Sequence, residues 1–333
     1  MLRAGIVGAG FIAQVHAAAY AAHGGVELAV IADPLGHKAQ ALADRYGARA
    51  VAQVDELLAS DVDVVSVCTP TPTHADVSIA VMRAGKHVLC EKPMARSLAQ
   101  GEAMIAAALD TGTKLMVGHV TRYEPDHVRA KAIIDEGNIG TLRMAFQSIT
   151  GPFPEWSSGG WFADAAQSGG PVVDLAIHSF DSLAWFFGRP VTRVMAVGTK
   201  SKIDLYSYAL VTLNFDGGGL GLVEVSWSHP RVQDLTVRTE LMGTHGRINW
   251  DYADIASMFT VGNDTPRRQF VMLGEHAFAD EVAAFVECIE RDVPPPIAGE
   301  HALETLRIAL AAHESLETGR AVALAERPHG QRR

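Results

Sequence analysis

The sequence predicts two domains of different class, an α/β domain followed by an α+β domain. Between Leu2 and about Val120, short apolar segments alternate with amphipathic ones, which is typical of a parallel sheet covered by helices on both faces. After Tyr123, strand-like segments separated only by turns indicate an antiparallel meander. A chain of 333 residues suits about two domains. We place the boundary so that the domains span residues 1–122 and 123–333.

The elements of the first domain alternate regularly. Buried strands are predicted at Ala4–Val7, Glu27–Ala32, Val62–Cys68, His87–Cys90 and Leu115–Gly118. Helices are predicted at Phe11–Ala22, His37–Tyr46, Ala75–Ala84 and Ser97–Thr111. Strand–helix–strand units of this kind are joined by right-handed crossovers, so the strands should be parallel.

The second domain mixes helices with consecutive strands. Helices are predicted at Pro125–Glu136, Val172–Phe187, Ala277–Arg291 and Glu300–Thr318. Strands are predicted at Arg143–Ile149, Val191–Thr199, Tyr206–Phe215, Leu220–Ser228 and Leu235–Met242. Apolar residues occupy both faces of the strands between Tyr206 and Met242, whereas a sheet with one wet face alternates apolar and polar residues throughout. One face should therefore pack on helices and the other on a second subunit, giving a homodimer or homotetramer; the alternative is an exposed sheet with scattered aromatic residues.

Composition excludes several classes of protein. Hydrophobic residues make up 48% and charged residues 20% of the chain, which excludes a disordered, collagen-like or coiled-coil protein. The net charge is −10 and no block of Lys and Arg occurs, so we expect no nucleic-acid partner. No run of 18 apolar residues predicts a membrane span, and three cysteines without a CxxC pair suit reduced thiols in a cytoplasmic protein. No HExxH or paired CxxC motif occurs, so no metal site is predicted.

A glycine motif lies between the first predicted strand and the first helix. Gly8, Gly10 and Ala13 form a G-x-G-x-x-A pattern, with Phe11 and Ile12 opening the helix. In such a motif the first glycine allows a tight turn, the second lets the backbone approach a pyrophosphate, and the small third residue lets the helix pack close to the sheet. The pattern predicts a dinucleotide at the helix N-terminus.

An acidic residue at the expected interval supports this prediction. Asp33 ends the second predicted strand, 20 residues after Ala13. A carboxylate there accepts hydrogen bonds from both ribose hydroxyls and repels a 2′-phosphate, so NAD is favoured over NADP. His37 and Lys38 follow closely and soften that preference if they face the ribose.

Three further motifs complete a recognisable series. Thr69, Pro70 and His74 belong to a Thr-Pro-rich turn after the third predicted strand, and Glu91-Lys92-Pro93 follows the fourth. Far downstream, Asp174 precedes His178 by four residues. Together with the glycine motif, this series resembles the Gfo/Idh/MocA oxidoreductase family over essentially the whole chain.

The resemblance implies a fold and an activity. It implies an N-terminal Rossmann domain and a C-terminal domain with a large, mostly antiparallel open sheet. It also implies a nicotinamide-dependent oxidation of a secondary alcohol of a cyclitol or sugar, or reduction of the matching ketone. Matched by motif, Lys92 is the catalytic lysine, Asp174 and His178 are the catalytic acid–histidine pair, and a cis peptide bond precedes Pro93.

The chemistry of these residue types agrees with that role. Removing hydride from a carbinol carbon needs a base for the hydroxyl proton and a cation near the developing alkoxide. His178 is suited to accept the proton near neutral pH, and Lys92 to stabilise negative charge on the substrate oxygen. Asp174 and His178 should lie on one face of a continuous helix, about a turn apart. A structural pair on a core helix is the alternative.

Other residues are predicted to border the bound molecules. Thr69, Pro70, His74 and Glu91 are expected beside the cofactor together with Lys92. The substrate is expected to contact Lys92, Asp174, His178, Arg122, Tyr123 and Trp161, while Trp156 and Phe162 lie in the same Gly-rich loop as Trp161. A packed hydrophobic loop is the alternative for these aromatic residues, and we expect His16 to pack rather than to act in catalysis.

Competing functions keep the fold and change the substrate or the role. One is a nucleotide-sugar or deoxysugar ketoreductase, or an anhydro-sugar reductase. Another is a nicotinamide-binding regulatory protein without catalysis, against which the presence of Lys92, Asp174 and His178 argues.

Overall fold

Two compact units make up the protein. The computed structural model describes residues 1–155, 158–201, 204–229, 235–251, 257–262, 268–271 and 277–324, so Trp156 of the Gly-rich loop lies outside the described residues. The first unit combines residues 1–124, 155–168 and 274–306, and the second combines residues 125–154, 169–273 and 307–333.

The first unit contains a sheet of six parallel strands. These are β1 (Leu2–Val7), β2 (Val26–Ala32), β3 (Arg49–Val51), β4 (Val64–Val67), β5 (His87–Glu91) and β6 (Leu115–Gly118). Their order is β3-β2-β1-β4-β5-β6, and each neighbouring pair is parallel. The order reverses direction between β1 and β4, and ligands of such sheets bind at the carboxyl ends of the strands beside this point. The predicted Rossmann domain is confirmed, with β3 as a strand that the sequence pattern did not reveal.

Most helices of both units fall close to the predicted positions. The helices are α1 (Phe11–Ala22), α2 (Gly36–Tyr46), α3 (Val54–Leu58), α4 (His74–Arg83), α5 (Leu98–Thr111), α6 (Pro125–Asp135), α7 (Ala165–Ser168), α8 (Gly170–Asp174), α9 (Ile177–Phe187), α10 (Ala277–Glu290) and α11 (Gly299–Thr318). Helices α3 and α7 were not predicted, and a single helix was expected where α8 and α9 lie. Local chemistry sets several ends: the Ser97 hydroxyl accepts from Gln100 N at the start of α5, and α2 and α9 stop at Gly47 and Gly188 in left-handed conformation. Within the described residues, no helix is long and apolar enough to cross a membrane.

Helix α10 returns to the first unit from far along the chain. Val282 and Phe285 of α10 are buried in one core cluster with Ala17 and Tyr20 of α1. Past α10, the carbonyl of Ile297 accepts a hydrogen bond from the β6 backbone. The chain first leaves this unit at residue 124, close to the domain boundary that we placed after residue 122. Residues 155–168 and 274–306, which we had placed in the second domain, return to the first unit. Helix α10 belongs to the first unit because it buries apolar surface of α1.

The second unit contains a nine-stranded mixed sheet. Its strands are β7 (Leu142–Thr150), β8 (Val191–Lys200), β9 (Tyr206–Phe215), β10 (Leu220–Ser226), β11 (Thr236–Gly243), β12 (Gly246–Asp251), β13 (Ser257–Gly262), β14 (Arg268–Val271) and β15 (Val322–Ala323). The order is β14-β13-β12-β11-β7-β10-β9-β8-β15. In the described strands β7 and β10 pair in parallel and the other neighbours are antiparallel. The predicted α+β domain with a large, mostly antiparallel sheet is confirmed.

The two faces of this sheet differ in burial. On one face Val211, Leu213 and Val223 are fully buried. On the other, Leu210 and Leu222 are partly exposed, as are Met144 and Phe146 of β7. We call Met144, Phe146, Leu210 and Leu222 the outer apolar patch; Phe146 and Leu222 are register partners on neighbouring strands.

Candidate active site

The two glycines after β1 have different roles. Gly8 has a φ of +96°, and a Cβ on it would lie 2.5 Å from the carbonyl oxygen of Cys68, so only glycine lets this turn meet the end of β4. A Cβ on Gly10 would meet no atom within 4 Å. The protein's own packing therefore does not require glycine at this position. Its effect is to keep the space in front of α1 open, where a helix N-terminus favours an anionic group.

A cleft of about 850 Å³ lies beside this helix start. Its lining residues belong to the glycine turn, α1 and α2: Ala9, Gly10, Phe11, Gln14, Lys38, Ala41, Leu42 and Arg45. The Phe11 side chain is 63% exposed there, and Ile12 is partly exposed. Two cationic side chains, Lys38 and Arg45, make the cleft suitable for an anionic ligand. Size, open helix N-terminus and charge together fit a dinucleotide.

Asp33 connects the glycine turn to the end of β2. One carboxylate oxygen accepts a hydrogen bond from Ala9 N at 2.7 Å, and the other accepts from Leu35 N at 2.8 Å. Asp33 is partly exposed, and Ala9 also lines the cleft. The predicted ribose-binding acid is therefore bonded directly to a residue that lines the cleft.

The Thr-Pro-rich turn after β4 contains an exposed part and a buried part. Thr69 is partly exposed and Pro70 exposed, while His74 at the start of α4 is buried. The two ring nitrogens of His74 lie 2.8 Å from the carbonyl oxygens of Thr69 and Pro93. Burial lowers the pKa of His74, and its two backbone hydrogen bonds oppose that shift. His74 thus uses its ring on the protein, joining the turn after β4 to the turn after β5.

The Glu91-Lys92-Pro93 turn follows β5 directly. The Lys92–Pro93 peptide bond is cis, as the resemblance implied. Lys92 is partly exposed, and its backbone N–H donates to the Glu91 carboxylate at 3.1 Å. Glu91 is buried, and its other carboxylate oxygen lies 2.9 Å from Nε2 of His16. Burial raises the pKa of Glu91, but the His16 hydrogen bond and the nearby Lys92 charge outweigh that effect, so the pKa lies below its ordinary value.

A buried hydrogen-bond chain continues behind Glu91. Nδ1 of His16 lies 3.0 Å from the Ser66 hydroxyl, which lies 2.9 Å from the Tyr20 hydroxyl. Because the ionised Glu91 only accepts, His16 donates from Nε2. Wherever Nδ1 carries no proton it accepts from Ser66, and Ser66 accepts from Tyr20, so each donor has one acceptor. Burial raises the pKa of Tyr20, which keeps its hydroxyl protonated as the donor that begins this chain.

Glu281 of α10 completes a trio with His16 and Glu91. The potential ligand atoms of these three buried residues lie within 4.8 Å of one another. Such a trio has the ligand types of a metal site, although both ring nitrogens of His16 already have protein partners. No sequence motif indicated this group, because its members come from α1, β5 and α10.

The remaining predicted substrate contacts of the first unit lie in two short helical turns. Arg122 and Tyr123 end a 3₁₀ turn after β6, and both are partly exposed. Trp161 is partly exposed in a second 3₁₀ turn and stacks on Phe162, with ring centroids 4.0 Å apart. The guanidinium of Arg96 donates to backbone carbonyls of the following helix α7, at 3.3–3.4 Å. Arg96, three residues after Pro93, thus holds the segment that contains Trp161 within the first unit, and no sequence motif indicated this role.

Asp174 and His178 lie in the second unit, on two helices rather than one. Asp174 is the last residue of α8, and His178 is the second residue of α9. The N–H groups of Leu175 and Ala176 both bond to the carbonyl of Pro171, which interrupts the regular helical pattern between them. The prediction of one continuous helix over 172–187 was therefore wrong. Asp174 is buried, His178 is partly exposed, and the break still leaves them four residues apart.

The structure brings together most of the predicted cofactor residues within one unit. Asp33 is bonded to Ala9 of the glycine turn, which lines the cleft, and His74, Glu91 and Lys92 form a connected group at the ends of β4 and β5. His16 was expected only to pack. Its position three residues after Ala13, one helical turn along α1, was the available signal that it lies on the sheet-facing side.

Comparison with known proteins agrees with this arrangement. Residues 2–119 match the model of an oxidoreductase family with an NAD-binding Rossmann fold, and residues 127–249 match the GFO/IDH/MocA C-terminal domain. The inositol 2-dehydrogenase of Rhizobium meliloti (strain 1021) is 30% identical over 97% of this chain and 99% of its own length. The chain belongs to the Gfo/Idh/MocA family. It is an oxidoreductase.

Two further members of the Gfo/Idh/MocA family are informative. The 1,5-anhydro-D-fructose reductase of Ensifer adhaerens is 27% identical, covering 96% of this chain and 98% of that protein. The crystal structure of GenD2 from gentamicin A biosynthesis, in complex with NAD, is 26% identical with a TM-score of 0.87, covering 98% of this chain and 97% of that one. The fold and the succession of the two domains are thus those of the family.

Proposed function

We propose that this Gfo/Idh/MocA oxidoreductase is an NAD-dependent dehydrogenase that acts on a secondary alcohol of a cyclitol or sugar. The observation that supports it most is the open space at Gly10, where the protein's own packing does not require a glycine. Gly10 lines a cleft that fits a dinucleotide, and Asp33 is bonded to its neighbour Ala9. The similarity to an inositol 2-dehydrogenase supports the substrate class.

The residues proposed to bind the cofactor lie at the glycine turn, at the start of α1 and at the end of β2. Gly8, Gly10, Phe11 and Ile12 present the helix start to the pyrophosphate, and Asp33 accepts from the ribose diol. NAD bound there supplies the hydride acceptor. Thr69 and Pro70 border the same strand ends, whereas His74 and Glu91 support the site through the hydrogen bonds that hold the β4 and β5 turns.

The proton chemistry falls to three side chains. Lys92 donates a hydrogen bond to the substrate oxygen and stabilises its negative charge as the hydroxyl proton leaves. His178 accepts that proton, and Asp174 orients the imidazole and stabilises its charge. With the proton passed to His178 and NAD as the hydride acceptor, the alcohol would become a ketone. Arg122, Tyr123 and Trp161 contact the rest of the substrate in this proposal.

A reductase of the same family is the second candidate. The similarity to a 1,5-anhydro-D-fructose reductase favours it, because the residues that handle the proton serve either direction. The test is a screen for NADH formation with inositols, hexoses, pentoses and anhydro-sugars, paired with NADH consumption on the matching ketones. Turnover with one of the alcohols supports the dehydrogenase. Turnover only with ketones favours the reductase, and no turnover with either would leave a cofactor-binding protein without catalysis.

We also propose that two copies associate through the outer apolar patch. Its partly exposed Met144, Phe146, Leu210 and Leu222 lie on the face opposite the fully buried side chains of the same strands. Exposed apolar patches of this kind mark contact surfaces.

A further inference from the structure

We propose that two buried histidines, His16 and His74, are positioning residues that fix Lys92 by holding its two chain neighbours, Glu91 and Pro93. This inference rests on the proposed role of Lys92. The two histidines come from different helices, His16 from α1 and His74 from the start of α4.

The need for such support follows from Lys92 itself. A lysine ammonium is a point charge at the end of four flexible methylenes, so its direction depends on where the backbone places the Cα. Lys92 is partly exposed at the end of β5, and its N–H is bonded to the Glu91 carboxylate. The position of the Lys92 Cα therefore depends on how firmly its two chain neighbours, Glu91 and Pro93, are held.

On the N-terminal side, His16 fixes Glu91. Nε2 of His16 donates to one Glu91 oxygen at 2.9 Å, while the other oxygen accepts from Lys92 N at 3.1 Å. The His16 ring is itself fixed by Ser66 through Nδ1 at 3.0 Å. His16 is 0% exposed, so it has no path to a ligand in the cleft and acts through Glu91.

On the C-terminal side, His74 fixes Pro93. Its Nδ1 lies 2.8 Å from the Pro93 carbonyl oxygen, and its Nε2 lies 2.8 Å from the Thr69 carbonyl oxygen. Both oxygens only accept, so a neutral ring donates to one of them, and in this proposal that bond runs from Nδ1–H to Pro93. Proline has no N–H, so the carbonyl is the one backbone hydrogen-bonding group that Pro93 offers. His74 is 1% exposed, and its ring nitrogens both face protein atoms. It therefore acts on Lys92 through the turn.

The two ring nitrogens of each histidine can be tested separately. Glutamine places its amide nitrogen near the former Nε2, and asparagine places it near the former Nδ1. His16→Gln therefore keeps the donor to Glu91, and His16→Asn loses it. His74 has the opposite pattern, since His74→Asn keeps the donor to Pro93, whereas His74→Gln places its donor at Thr69 and loses the one to Pro93.

We expect the two positions to respond in opposite ways, with activity retained by Gln in place of His16 and by Asn in place of His74. His16→Asn and His74→Gln should each lower kcat about 10–100-fold, because a displacement of about 1 Å costs about 10²-fold. Their primary deuterium isotope effect on kcat should increase, since hydride transfer becomes slower. His16→Gln and His74→Asn should retain most of the turnover, and the NADH dissociation constant should stay near that of the unaltered enzyme in all four variants.

A second measurement does not need turnover. The rate at which acetic anhydride labels Lys92 in the folded chain, measured by peptide mass spectrometry well below the melting temperature, reports its environment directly. The labelling rate should change in His16→Asn and His74→Gln, and should stay near that of the unaltered protein in His16→Gln and His74→Asn. His127→Asn and His127→Gln are matched controls, because His127 is equally buried but lies in the second unit; neither should change Lys92 labelling.

Both measurements can overturn the proposal. Equal turnover and equal labelling of the Asn and Gln variants at either position would show that this histidine only fills space. If the unaltered protein oxidises no alcohol and reduces no ketone, the proposed function fails, while the labelling order still decides whether the histidines position Lys92.

Discussion

Asp33 and Ala9 are joined by a hydrogen bond of 2.7 Å from the Ala9 N–H to the Asp33 carboxylate. Ala9 lies between Gly8 and Gly10, so the acid at the end of β2 also shapes the glycine turn after β1. The second carboxylate oxygen accepts from Leu35 N. A carboxylate has about four acceptor positions, so two backbone bonds leave acceptor capacity for two ribose hydroxyls. Asp33 thus has a structural task and a binding task in the proposed enzyme.

These two tasks can be separated by substitution. Asp33→Asn removes the charge but keeps an oxygen for one backbone N–H, whereas Asp33→Ala removes both acceptors. The unaltered enzyme should have a much lower KM for NAD than for NADP. Both variants should reduce the preference in kcat/KM by about 10–100-fold, since hydrogen bonds to a charged group contribute about 1.5–3 kcal/mol. Only Asp33→Ala should also lower the melting temperature clearly. Equal use of both cofactors by the unaltered enzyme would contradict the assignment.

Lys92 and His178 should affect turnover rather than cofactor affinity. Lys92→Ala should lower kcat about 10²–10³-fold, as expected for a lost electrostatic donor. His178→Ala should lower it about 10²–10⁴-fold, as expected for a lost general base. The double variant should lose less than the product of the two, because residues that act as a unit are not additive. Stopped-flow turnover and fluorescence titration with NADH measure the two effects separately.

Asp174→Asn provides the matching control for His178. It keeps the size of the side chain and removes its charge, so it should shift the acid limb of the pH–rate profile as well as its height. Near-normal turnover of a folded His178→Ala variant is the result that rejects this role. Asp174 and His178 would then be a structural pair, and Tyr123 would be the next candidate for the base.

His127 makes the stability of the second unit depend on pH. It is buried against Phe186 and Trp250, accepts a hydrogen bond from the Gln147 amide, and burial lowers its pKa to about 4. Since its pKa is near 6.5 when unfolded, the unfolded chain binds more protons between these values. Its contribution is fully present above about pH 6.5 and is lost as the pH falls towards 4, by about 3 kcal/mol. Urea unfolding of His127→Phe should show a smaller pH slope over this range; an unchanged slope would contradict the prediction.

The outer apolar patch predicts a dimer or tetramer. Leu222→Glu places a charge beside Phe146 on this face and should shift the molecule towards the monomer in light scattering. Leu109→Glu introduces the same charge at a side chain of the first unit that is 74% exposed, and should leave the assembly unchanged. A stable monomer of the unaltered protein at micromolar concentration would remove the argument for the patch.

Local signals in the sequence predicted the features that depend on neighbouring residues. It was possible to predict strand β1, the turn at Gly8 and helix α1, because each depends on a few adjacent residues. The break between Asp174 and His178 could not, since a helical pattern continues through Leu175 while Pro171 accepts two backbone bonds. The roles of His16 and His74 depend on partners 75 and 19 residues away, so no local pattern reveals them.

The return of α10 to the first unit has a consequence for biosynthesis. Val282 and Phe285 cover the side of α1 that includes Ala17 and Tyr20, but the ribosome makes them long after residue 124. At roughly 5–20 residues per second, the interval is on the order of ten to thirty seconds. During that time the nascent nucleotide-binding unit exposes the apolar side of α1 and lacks Glu281 beside His16. The first domain to be synthesised is therefore completed only after most of the second has emerged.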